Sequence, residues 1–189
     1  MNLTWTGSDV LFATKFLKHS KKSKWLYFMA MRIFAKIADR FVQKHIVVSP
    51  HLIAELKPLK LKKPFGVMEN PVWYGQMPKR KHKGFIVLYY RAKGKNQPFR
   101  DWVYGYDIYS ELVRMFPEII FLEVNGDNDM TTIYPIVDFY LRPNRHDGAP
   151  RMVRECEINN IPYYWSRENP DLQAIIDLIK THYEKQVPG

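Results

Sequence analysis

The chain has 189 residues, of which 46% are hydrophobic, 25% charged and 15% aromatic; this composition fits one globular domain or slightly more, and excludes disordered, collagenous and coiled-coil classes. No apolar run is long enough for a membrane-spanning helix and no secretory signal core opens the chain, so a cytoplasmic location is expected; the single cysteine, Cys156, excludes an internal disulfide framework and fits a reducing compartment. The net charge of +10 is unevenly placed, with 21 Lys and Arg against 4 Asp and Glu in residues 1–100, and 8 against 15 in residues 101–189. A basic first half implies an anionic partner: nucleic acid, a membrane surface or a phosphorylated substrate.

In chain order, Leu3 to Thr6 reads as a short strand and Gly7-Ser8-Asp9 as a turn with a helix cap. Residues 10–40 read as helical with a break near His19-Ser20, mixing Lys15, Lys18, Lys21, Lys22, Lys24, Arg32 and Lys36 with large apolar side chains. His45 to Val48 is a strand, and Ser49-Pro50 caps the next helix, with Pro at its first position. Pro64 to Met68 is another strand, followed by a Pro-, Gly- and Lys-rich stretch that sets a domain boundary: residues 1–75 form one part, 76–84 a linker, and 85–189 a second domain. Beyond it come strands at Phe85–Tyr90, Ile119–Val124, Val137–Leu141 and Pro162–Trp165, with helices at Asp101–Phe116, Gly148–Asn160 and Asp171–Lys185. Strands alternating with helices predict an α/β fold: a Rossmann-like parallel sheet with helices on both faces, preceded by a shorter α/β N-terminal part.

In such sheets ligands bind beyond the carboxyl ends of the strands, here at Arg91–Lys95, Asn125–Asp127 and Arg142–Ala149. The last segment carries most of the candidate chemistry. Asp147 stands at a strand-to-helix turn, with Glu155 eight residues on, a spacing that places both acids on one side of a helix. Gly148 admits close approach of a ligand to the backbone, and the free amides of a helix start favour an anion or a hydroxyl-rich ligand. The structural alternative makes Asp147 a cap and pairs Glu155 with Arg151 one helical turn before it. His146 more simply shapes this loop than transfers protons, Cys156 reads as a small core residue, and the six histidines lack metal-site spacing.

Asp147-x7-Glu155, with Pro150 between them and Pro162 after them, resembles the retaining glycosyltransferases of the GT-B fold, in particular family 4. Asp stands where that family usually has its first Glu, and Asn160 where Gly is common. The resemblance extends to Val137–Pro143, Val124-Asn-Gly126, Val67–Val72, Ile46–Leu52 and Thr6–Asp9, in the family's order. It implies a metal-independent transfer of a sugar from a UDP-, GDP- or ADP-linked donor to an acceptor, with no further cofactor. It implies that Glu155 binds the donor ribose and that Asp147, with the backbone of Gly148 and Ala149, holds the sugar. Gly126 shapes the turn beneath the donor, and Arg91, with Lys95 or alternatively Lys93, neutralises the diphosphate, whose leaving charge must be stabilised. The structural alternative for these cations is a solvated charged loop.

The resemblance further implies a donor domain at 85–189 and only the end of an acceptor domain at 1–75. The expected partners are therefore a nucleotide sugar, a second copy or a chain supplying the acceptor domain, and an anionic membrane surface at the inner face met by the basic aromatic run at 15–36; nucleic acid is not expected. The alternative is a non-catalytic nucleotide-sugar-binding subunit whose basic part holds a partner.

Overall fold

The computed structural model describes residues 1–5, 10, 13–14, 23–68 and 71–186. The chain divides into two compact units, Met1–Pro71 with Asp147–Ala149, and Val72–His146 with Pro150–Gly189. The expected cap at Gly7-Ser8-Asp9, the helical break near His19 and the Glu69-Asn70 turn lie outside the described residues.

The first unit holds three parallel strands, β1 (Asn2–Trp5), β2 (Lys44–Val47) and β3 (Phe65–Val67), hydrogen-bonded in the order β1-β2-β3. Helix α1 (Ser23–Phe41) precedes β2, and the short α2 (His51–Leu56) follows it. Ala35, Val47, Val48, Leu52, Leu56 and Leu59 close over Trp5 as the core of this unit. The small Ala35 and Ala38 let α1 approach closely. Ser49 does not cap α2 through its side chain as expected: its hydroxyl is 2.8 Å from Nδ1 of His51, and its carbonyl accepts the amide of Leu52 instead. A polar network pins α1 to β2. The indole N–H of Trp5 donates to His45 Nδ1 (3.1 Å), so the proton of that ring sits on Nε2, which donates to Asp39 (2.9 Å). Asp39 also accepts the amides of Lys62 and Lys63.

The second unit is a Rossmann-like α/β domain. Its strands β4 (Ile86–Tyr90), β5 (Ile120–Val124), β6 (Phe139–Arg142) and β7 (Tyr163–Trp165) form a fully parallel sheet in the order β5-β4-β6-β7. Alternation along β4 and β6 feeds two cores. Phe85, Val87, Tyr89, Phe139 and Leu141 pack on α4 (Tyr106–Met115) and α7 (Leu172–Gln186). Ile86, Leu88 and Tyr140 pack on the opposite face with α5 (Met130–Ile133) and α6 (Arg151–Ile158). Both faces are covered, which is why the strands read as continuous apolar runs.

Two expected elements differ and one element is additional. The helix expected over 101–116 is two, α3 (Gln97–Tyr104) and α4, because Gly105 adopts a left-handed conformation (φ 68°) between them. The helix expected from Gly148 begins at Arg151, since Pro150 is extended (φ −71°, ψ 120°). Helix α5 was not anticipated; Asp129 starts it by accepting the Thr131 amide (2.9 Å). Residues 72–84 form neither helix nor strand and are tied to the second unit. Met77 donates its amide to Asn159 (2.7 Å), and buried Asp138 accepts from Lys79 (3.0 Å), His82 (3.2 Å) and the Ile86 amide (2.9 Å).

Candidate functional site

The order β5-β4-β6-β7 reverses direction between β4 and β6: the chain leaves β4 toward β5 on one side and returns to β6 on the other. In sheets of this kind a ligand crevice lies at such a switch point, here beyond the carboxyl ends of β4 and β6. The loop Arg91–Asn96 leaves one strand there, and the loop from Pro143 leaves the other.

Arg142 ends β6 and is buried, with 9% of its surface exposed. One guanidinium nitrogen donates to the Tyr140 hydroxyl (3.1 Å), and the guanidinium carbon stands 5.9 Å from the Tyr90 ring centroid and 5.5 Å from that of Tyr104. Burying a guanidinium is costly unless it is well coordinated, so a buried cation here marks a place organised around charge. The sequence puts Arg142 in the strand-end segment Arg142–Ala149 but assigns it no role; its position before Pro143 at the end of a strand was the available signal. Gly105 lies beside the same loop: a Cβ there would stand 2.2 Å from the Pro143 carbonyl oxygen.

Arg91 follows β4. Its guanidinium makes a two-point ion pair with Asp101 (2.8 and 2.9 Å), lies 3.5 Å from Glu123 and stacks 3.7 Å over the Tyr106 ring. Donating to the Asp101 carboxylate holds the Arg91 guanidinium firmly in its charged form, and the hydrogen bonds from Arg91 and Gln97 hold the Asp101 carboxyl below its usual range against the upward pull of burial. Lys93 and Lys95 are exposed on the loop, where Gln97 accepts the Gly94 amide (3.2 Å). Gly126 is exposed in the turn after β5, with open space where a side chain would go.

Glu155 lies on α6, 1% exposed. One carboxylate oxygen accepts the Trp73 amide (3.0 Å), with Arg151 Nε 3.4 Å away; the other accepts the Tyr134 hydroxyl (2.6 Å). Burial, reinforced by that hydrogen bond, pushes the Tyr134 phenol far up, so it is the donor. Arg151 stacks 3.2 Å over the exposed Trp73 ring and so covers the carboxylate. The pairing of Glu155 with Arg151 is thus present, and each carboxylate oxygen keeps capacity for one more donor. Burial likewise raises the Cys156 thiol well above its ordinary value, as suits a core residue.

Asp147, Gly148 and Ala149 belong to the first unit. The Asp147 carbonyl accepts from His51 Nε2 (2.9 Å), and its carboxylate accepts the Gly148 amide (2.9 Å). The expectation that Asp147 and Glu155 share a helix face is overturned: extended Pro150 keeps Asp147 in a loop before the helix. The structure therefore groups Arg91, Lys93, Lys95, Gly126 and Glu155 in one unit, and Asp147, Gly148 and Ala149 in the other. Among the described residues no cluster of three His, Cys, Asp or Glu side chains is arranged to hold a metal ion.

Fold and crevice define a Rossmann-like α/β protein with a cationic switch point. No protein-family model matches the chain, and no curated protein matches it.

Proposed function

We propose that the second unit binds a nucleotide sugar at the β4/β6 switch point and that the protein is a retaining, metal-independent glycosyltransferase. The observation that carries this reading is the buried Arg142 beside Tyr90 and Tyr104 at the carboxyl end of β6, near in the sheet to the strand whose loop holds Arg91, Lys93 and Lys95. Cations at a switch point favour a diphosphate, and aromatic rings beside them favour a planar base or a sugar face. In the transfer, the bond from the anomeric carbon to the diphosphate oxygen breaks. An acceptor hydroxyl bonds to that carbon and passes its proton to the departing diphosphate oxygen, and the cations stabilise the leaving charge. The resemblance in the sequence assigns the ribose to Glu155 and the sugar to Asp147; in this reading Glu155 uses its spare acceptor capacity, and the Arg151–Trp73 stack shifts to admit the ribose.

The engagement of Arg91 by Asp101 and of Glu155 by Trp73 and Tyr134 favours a second reading, a nucleotide-sugar-binding subunit without catalysis. Calorimetry with UDP-, GDP- and ADP-sugars, paired with an assay of donor hydrolysis and transfer, separates the two. Binding with turnover supports the transferase, binding without turnover supports the subunit, and no binding by any donor overturns both. Arg142→Ala should weaken a nucleoside diphosphate by at least about tenfold and leave the nucleoside little changed, as removal of a charge-assisted contact predicts. Equal losses for both would move the phosphate site elsewhere. EDTA should leave binding unaltered.

A further inference from the structure

Helix α1 is apolar on two sides. Its inner side, with Ala35, Ala38 and Val42 just beyond its end, is buried in the first unit. On the outer side Leu26, Ile33, Phe34, Ile37 and Phe41 are 51–72% exposed. At about 100° of rotation per residue these five side chains, with exposed Ala30 among them, fall within an arc roughly 100° wide, whose centre lies about 120° around the helix from the centre of the buried stripe. Of the expected surface run at 15–36, Leu26, Ile33, Phe34 and Lys36 lie exposed on this helix, and its lysines before Ser23 lie outside the described residues.

A helix with a second apolar stripe, beyond the one its own unit buries, calls for cover on that side too. Charge indicates what covers this one. Exposed Lys36 and Arg40 border the stripe along one flank, with Arg32 on the same side. Asp39 is the only acid in the helix, and it is turned inward against His45. Residues 1–71 as a whole hold 13 Lys and Arg against 4 Asp and Glu. A second copy docked through this stripe would bring Lys36 and Arg40 of both chains together with no exposed acid on either helix to pair with them. A nucleic acid could stack bases on Phe34 and Phe41 but would leave the aliphatic Leu26, Ile33 and Ile37 without a counterpart. None of the described helices is long and apolar enough to cross a membrane. A helix with an apolar stripe and a cationic flank suits the interfacial plane of an anionic bilayer, its large side chains among the upper acyl chains and its cations among the headgroups.

We propose that the outer face of α1 docks the protein on an anionic lipid bilayer through Leu26, Ile33, Phe34, Ile37 and Phe41, with Lys36 and Arg40 engaging the lipid phosphates. This surface is independent of the nucleotide site and stands or falls separately from it.

The test is sedimentation of the full chain with phosphatidylcholine vesicles, with and without phosphatidylglycerol, at low and high salt. Binding should require the anionic lipid and weaken as salt rises. Phe34→Ser combined with Phe41→Ser should lower partitioning at least about tenfold, and Lys36→Glu with Arg40→Glu by a similar factor, since each cation near such a surface contributes about fivefold. Both pairs lie outside the core, so the thermal midpoint should hold; a double variant that unfolds is replaced by Ile33→Gln alone, which should still reduce binding. Loss of binding with the fold intact supports the proposal. Equal binding by the variants, equal binding to neutral vesicles, or a dimer that the Phe34→Ser change disperses with no vesicle binding would overturn it.

Discussion

Glu155 shows how one side chain can hold a fold together and still carry candidate chemistry. Its two oxygens accept an amide from residue 73 and a phenol from residue 134, joining the segment after the first unit to α6 and to the turn after α5. Glu155→Gln would aim an amide N–H at one of those donors, leaving a buried donor unsatisfied. A loss of about 1–3 kcal/mol is expected in urea unfolding, together with weaker nucleotide binding if Glu155 meets the ribose. A stable variant that binds nucleotide normally would remove Glu155 from both roles. Gly105 is the second residue on which the crevice depends. Alanine there meets both a left-handed backbone and the Pro143 carbonyl, so Gly105→Ala should cost at least about 2 kcal/mol and loosen the loop after β6. An unchanged midpoint would show that the loop yields without cost.

At the scale of elements, the first unit rests on the α1–β2 network of Trp5, His45 and Asp39. Burial pushes the Asp39 carboxyl up, but the hydrogen bonds from His45 and from the amides of Lys62 and Lys63 outweigh it, and the group ends below its ordinary value of 3.8. A value lowered by folding means that the contribution is complete above about pH 4 and is lost as pH falls through the lower folded value. Asp101, held down by Arg91, and Asp107, held down chiefly by Arg145, act in the same direction. The protein should therefore lose stability on acidification below about pH 4. Asp39→Asn should be less stable at neutral pH, and its deficit relative to the parent chain should shrink as pH falls through that window. Unfolding followed against pH reads this directly; a deficit independent of pH would mean that the carboxylate charge contributes nothing.

For the whole molecule, each unit has its own core, one around Trp5 and Leu52, the other on the two faces of the four-stranded sheet. A nucleoside diphosphate, whose proposed contacts all lie in the second unit, should raise the transition reported by the sheet of that unit and leave the β1–β3 unit near its own midpoint, as linkage requires. Hydrogen exchange with and without the nucleoside diphosphate measures it, and protection confined to the first unit would contradict the proposed site. Much of this architecture was legible in the chain, because it is local. Short apolar runs bounded by Gly, Pro and Asn mark strands, and amphipathic stretches between them mark helices, so the parallel α/β class and most of its strands followed from periodicity. The split at Gly105 and the late start of α6 at Arg151 did not, because a glycine or proline in a helical pattern permits a break without dictating one. The partners of the site residues were beyond sequence altogether. Arg91 finds Asp101 ten residues on, Trp73 reaches Glu155 across 82 residues, and Arg142 is buried among tyrosines from two other elements. The chain by itself determined which charges and rings were present and near which strand ends they fall. Only packing decided which of them neutralise one another and which face of α1 stays bare, since those outcomes depend on contacts between residues far apart in the chain.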